Sequence, residues 1–93
     1  MPTISFFFGI AIRMYIRDHP PPHVHAVYAE HEAHIAIETG EVVEGSLPRN
    51  AARLVKQWTL AGREQLRDNW ERARNGEPLE RIAGLDADEG DAD

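Results

Sequence analysis

Three consecutive prolines, Pro20-Pro21-Pro22, limit what the middle of this chain can be. Proline lacks an amide donor, and its ring holds φ at about −65°, so neither a helix nor a central strand runs through the triplet. The triplet is predicted to form a stiff, extended arm. It carries His19 at one end and His23 at the other, with His25 two residues on. Three of the five histidines therefore fall within seven residues. Clustered imidazoles on a stiff support suit a site, and they equally suit an ordinary rigid loop.

The flanks read as strands. Residues 3–8 are aromatic and β-branched. Phe8-Gly9 is placed for a two-residue hairpin turn. Residues 10–17 alternate, with Ile10, Ile12, Met14 and Ile16 on one face and Ala11, Arg13, Tyr15 and Arg17 on the other. Beyond the arm, residues 23–29 put Val24, Ala26 and Tyr28 on one face and His23, His25 and Val27 opposite. A four-residue loop, Ala29-Glu30-His31-Glu32, leads to a strand over 33–38. With a symmetric loop, His25 faces Ala36 and His23 faces Glu38. A short fifth strand is predicted over 42–44.

A single long helix is predicted over about 48–75. Ser46 or Leu47 caps it, with Pro48 in the first turn. Asn75-Gly76 and Pro78 stop it. Leu54, Val55, Trp58, Leu66 and Trp70 form an apolar face. Arg49, Arg53, Lys56, Arg63, Arg67 and Arg74 fall within roughly 80° of one another on the other side. The stripes stay in phase across Gly62, which favours one helix over two. After Pro78, Leu79, Ile82 and Leu85 can lie back on the core. The expected fold is a two-layer α+β domain over residues 1–85: an antiparallel sheet of four to five strands packed on this helix. Residues 86–93 carry five acids and no large apolar residue, and are predicted to be a disordered acidic tail.

Composition narrows the function classes. Ninety-three residues make one small domain. With no cysteine, the chain has no disulfide, thiolate metal site or cysteine nucleophile. This suits a reducing cytoplasm, the expected location. No apolar run approaches the roughly 20 residues that span a bilayer, and the first residues read as a strand, not a signal peptide. The formal charge of −6 argues against a nucleic-acid binder only as an average, since residues 49–74 hold seven basic groups against three acidic ones.

Three constellations could carry chemistry. On the uncovered sheet face, Arg13, Tyr15, His23, His25 and Glu38 are the candidate catalytic set, with His34 on the same face. Arg and His can hold a phosphate, a His paired with Glu38 can act as general base, and Tyr15 can stack on a base. That is the kit of a metal-independent ribonuclease; a solvated sheet face is the plainer alternative. The second constellation is a metal site on His19, His23 and His25, or with His34 in place of His19 as the third ligand, and zinc is the candidate ion. His-x-His on a strand puts two imidazoles on one side, roughly 6–7 Å apart, although no cofactor is demanded by the pattern. Third, Arg17 and the helix stripe of Arg49, Arg53, Lys56, Arg63 and Arg67 could bind nucleic acid or an acidic partner. Pairs such as Arg67–Glu71 fit a merely solvated helix equally well.

Several stretches closely resemble one family. They are Met1-Pro2-Thr3-Ile4-Ser5, Asp18-His19-Pro20-Pro21-Pro22-His23-Val24-His25-Ala26, Ile37-Glu38-Thr39-Gly40-Glu41-Val42, Leu47-Pro48-Arg49, Asn69-Trp70-Glu71 and Gly76-Glu77-Pro78. The family is the small bacterial one called domain of unknown function forty-one sixty, and the likeness runs from about Met1 to Leu85. Its signature histidines map onto His19, His23 and His25. The chain departs from it at Phe6-Phe7-Phe8, where many relatives carry mixed polar and aromatic residues. The resemblance implies a type II toxin–antitoxin module in which this chain is the toxin and a small protein encoded beside it the partner. The expectation is a cytoplasmic toxin acting on RNA or translation through the His/Arg/Tyr face. A non-enzymatic antitoxin or regulatory module, and a small His-ligated metal protein, are the alternatives. A homodimer stays open.

Overall fold

A computed structural model describes residues 2–87. Five strands form one antiparallel meander: β1 (Thr3–Phe7), β2 (Ile10–Arg13), β3 (His23–Tyr28), β4 (His31–Ala36) and β5 (Val42–Gly45). Each pairs with its neighbour in chain order. Two helices follow, α1 (Arg49–Ala61) and α2 (Arg63–Arg74). The α+β class and the five-strand antiparallel sheet match expectation; the single long helix does not.

The helix breaks at Gly62, which sits at φ −109°, ψ 27°. The Gly62 amide still bonds the Trp58 carbonyl at 3.0 Å, and its own carbonyl takes the Leu66 amide at 3.0 Å. The axis is therefore interrupted at one residue while most of the ladder survives, so the apolar stripes stay in phase on either side. α1 buries Ala51, Val55, Trp58 and Thr59, and α2 buries Leu66, Asn69, Trp70 and Ala73. The N-cap is Pro48, without a side-chain bond, in place of Ser46 or Leu47. Ser46 is held elsewhere, its amide on the Glu32 carbonyl. The stop at Asn75-Gly76 is as expected, with Gly76 left-handed at φ 71°.

Phe8 and Gly9, with φ 50° and 80°, make the expected two-residue β1–β2 turn. The β3–β4 connection is shorter than expected. It turns through Ala29-Glu30 alone, with Ala29 at φ 53°, and His31 already pairs with Tyr28. The register is therefore two residues off the symmetric-loop expectation: His25 lies opposite His34 and His23 opposite Ala36. A two-residue slip preserves which face each side chain takes, so alternation alone cannot detect it. The second strand also stops four residues early, at Arg13. Residues 14–22 leave the sheet as a connection anchored by the Arg17 amide on the Ala73 carbonyl, 3.2 Å. The arm is not straight: it bends at Pro20 and Pro21, whose shared peptide is cis.

The core joins Ile10, Ile12, Val24, Ala26, Ala33 and Ile35 of the sheet to Val55, Trp58, Leu66 and Trp70 of the helices. The segment after Pro78 folds back as expected. Ile82 is buried, and its amide bonds the Ile4 carbonyl at 2.8 Å. The Trp58 indole donates to the Ala83 carbonyl, 2.8 Å. Asp86 accepts the Phe8 amide at 3.2 Å. From residue 88 onward the expected acidic tail lies outside the described residues. Among the described residues, no helix is long and apolar enough to cross a membrane.

Candidate functional site

The sheet face opposite Val24 and Ala26 carries one row across four strands: Arg13, His25, His34 and Glu44 stand side by side by register. Antiparallel pairing sets that row, because directly opposed residues share a face with their side chains close together. The 14–22 connection folds against this row from β2 and brings Tyr15 and Asp18 to it. The Tyr15 ring meets His25 edge-on, centroids 4.3 Å apart at 84°.

Asp18 is the hub. Its Oδ2 accepts from His25 Nε2 at 3.1 Å and lies 3.0 Å from His23 Nε2. Its Oδ1 takes the His19 amide at 2.8 Å. Burial pushes the Asp18 carboxyl up, but the His25 bond, the His19 amide and the fields of His23 and His25 together hold it below the usual carboxylate range. His23 and His25 have side chains only 5% and 9% exposed. His23 Nδ1 bonds the Pro21 carbonyl at 2.8 Å, so the bent arm itself supplies a partner for the imidazole that follows it. Trp70 of α2 also reaches His23, at 5.5 Å between centroids.

His34 completes the imidazole group. Its ring lies 4.2 Å from that of His25 and 5.2 Å from that of His23. Its Nδ1 faces Glu44 Oε1 at 3.3 Å, and His25 Nδ1 faces Glu32 Oε2 at 3.5 Å. One ring nitrogen each from His23, His25 and His34 fall within 4.8 Å of one another, and a second group of that span joins Asp18, His19 and His23. Two buried atoms of the cluster, His23 Nε2 and His25 Nδ1, have no hydrogen-bond partner among the described residues. The arrangement can move a proton, hold an anion beside Arg13, or ligate a cation.

Of the sequence-predicted residues, Arg13, Tyr15, His23 and His25 come together. Glu38 does not join them. It takes the Arg67 guanidinium in a two-pronged pair, 2.8 Å from Nε to Oε2, and that pair holds the Glu38 carboxyl below its usual range. His19 is three-quarters exposed at the rim. The basic helix residues divide: Lys56 pairs with Glu41 and Arg67 with Glu38, whereas Arg49 and Arg53 are exposed on α1. Arg63 is half-buried and Arg17 lies against the end of α2. Sequence reasoning missed Asp18, Glu32 and Glu44 and did not bring His34 opposite His25. The signal for Asp18 was its place directly before His19. Glu44 has no sequence signal without the β4–β5 register.

The family model described as domain of unknown function (DUF4160) matches residues 9–71, which include Asp18, all four clustered histidines and Glu44. No curated protein and no solved structure matches the chain.

Proposed function

The chain belongs to the DUF4160 family, whose name carries no activity; from the residues of the sheet face, together with the toxin–antitoxin pairing that the resemblance implies, we propose that it acts on RNA as the toxin-like half of a two-protein toxin–antitoxin pair. The working surface is the sheet face around His25. The observation supporting this reading is the convergence of Asp18, His23 and His25 beside Tyr15, with Arg13 directly opposite His25. Arg13 supplies a guanidinium for a phosphate, and Tyr15 a ring for a base. The imidazole–carboxylate cluster supplies the group that activates the attacking oxygen. The small partner protein encoded beside it silences the chain by covering this face.

The helix stripe is the weaker candidate for RNA, because Lys56 and Arg67 already hold Glu41 and Glu38. Controlled expression in a bacterial host, with purified protein assayed on RNA, tests the reading. Wild type is expected to arrest growth and cleave RNA. His25→Ala should lose about 100-fold or more of the cleavage rate, and Arg13→Ala should chiefly weaken RNA binding. Equal arrest by wild type and both variants would sink catalysis at this face and favour a non-enzymatic binding module.

A further inference from the structure

We propose that Asp18, His23, His25 and His34 form a binding site for one zinc-type dication, built on residues that the RNA reading also uses but argued from their geometry alone. The proton positions carry the argument. The Pro21 carbonyl can only accept, so His23 Nδ1, 2.8 Å away, carries the proton. In the neutral ring Nε2 then holds a lone pair. Nε2 stands 3.0 Å from Asp18 Oδ2 without hydrogen-bond geometry, in a side chain 5% exposed. Two acceptors this close and this buried repel unless a cation shares them.

The rings of His23, His25 and His34 lie 4.2–5.2 Å apart. A single dication satisfies the same lone pairs at once. The oxygens behind the rings fit that role. Pro21 O, Glu32 Oε2 and Glu44 Oε1 stand at the Nδ1 atoms of His23, His25 and His34 respectively. With Nδ1 protonated toward these oxygens, each ring keeps its Nε2 lone pair for a metal, the arrangement ligating histidines adopt. It also explains the orphaned His25 Nδ1: ligation through Nε2 moves its proton to Nδ1, toward Glu32.

The spacing is right for a small ion. Metal bonds of about 2.0–2.1 Å in a tetrahedron separate ligand atoms by roughly 3.3 Å. Asp18 Oδ2 stands 3.0 and 3.1 Å from the two Nε2 atoms. One ring nitrogen from each of the three imidazoles lies within 4.8 Å of the other two. Three imidazoles and one carboxylate select a borderline transition metal over calcium or magnesium. His19 lies outside this set, and His34, the other third ligand that the sequence allows, lies inside it.

Untagged full-length protein, stripped with a chelator, is titrated with Zn(II) and Co(II) while folding is followed by circular dichroism and thermal midpoint. One equivalent of Zn(II) should bind and raise the midpoint, and Co(II) should give the intense visible bands of a tetrahedral site. Because His23→Ala removes a buried ring, the decisive variants are the half-exposed His34→Asn and Asp18→Asn. Each should lose about 100-fold or more in affinity, Glu44→Gln roughly 10–100-fold, and His31→Ala and His19→Ala about 2-fold at most. No saturable equivalent, or equal binding by folded His34→Asn and Asp18→Asn, overturns the site, as does binding that depends on His19 and not on His34. Zinc retention and RNA cleavage are separate readouts, so an inactive zinc protein and an active metal-free one are told apart.

Discussion

Asn69 shows how one side chain can hold a segment in place. It is 2% exposed, and its amide closes a pair of bonds with one residue: Nδ2 donates to the Glu80 carbonyl at 2.8 Å and Oδ1 accepts the Glu80 amide at 2.9 Å. Asn69→Ala leaves two backbone groups unmatched and is expected to cost about 2–3 kcal/mol in urea unfolding. Gly45 is constrained differently. At φ 77° it pairs with Ala33, and a Cβ there would collide with the Glu32 carbonyl. Gly45→Ala should therefore cost more than about 1 kcal/mol and loosen the β4–β5 register that sets Glu44 beside His34. The same unfolding measurement checks both. The two residues differ in legibility. A glycine ending a strand announces a turn, whereas an asparagine on the apolar side of a helix reads only as a polar interruption.

Secondary structure was legible where periodicity or turn chemistry decided it, and not where two readings kept the same phase. The β1–β2 hairpin was visible because Phe8-Gly9 separates two apolar runs. The β3–β4 slip was invisible because it moves the pairing by two residues, and neither Ala29 nor Glu30 marks a tight turn. That slip decides the site, since it puts His34 against His25 and carries Glu38 out of the sheet toward Arg67. The Glu38–Arg67 pair links the exit of β4 to α2, and its pH dependence has a definite sign. The Arg67 bond holds the Glu38 carboxyl below its ordinary 4.5. The stability it adds is complete above 4.5 and is lost as pH falls through the lower folded value. The stability gap between wild type and Glu38→Gln should stay flat from about pH 7 to about pH 5 and close in more acid solution. Denaturant midpoints measured across that range test it. Gly62 gives the opposite case. A Cβ there meets only ordinary contacts of 3.6–3.8 Å, and φ −109° is open to any residue. The break therefore does not need glycine, and Gly62→Ala should stabilise by about 0.5–1 kcal/mol. A destabilised Gly62→Ala would show that the bend depends on glycine after all.

At the scale of the whole chain, charge and site pull in different directions. The chain carries −6 overall, yet the face proposed to meet RNA holds Arg13 and the imidazoles. Four of the acids, Asp88, Glu89, Asp91 and Asp93, follow the described segment, and removing them takes the formal charge from −6 to −2. Repulsion between a net anion and a polyanion lowers both encounter rate and affinity, and salt screens it. A chain ended after Ala87 keeps Asp86, whose carboxylate holds the Phe8 amide, and keeps Ile82 in the core. It should fold with the same unfolding midpoint as the full chain. Its RNA affinity should rise by about 2–10-fold at low ionic strength, and the gain should vanish at about 0.5 M salt, where the screening length is only a few ångströms. Equal affinity at low salt would show that the tail does not oppose RNA. A gain that persists at high salt would mean that the tail covers the face by contact instead of by charge.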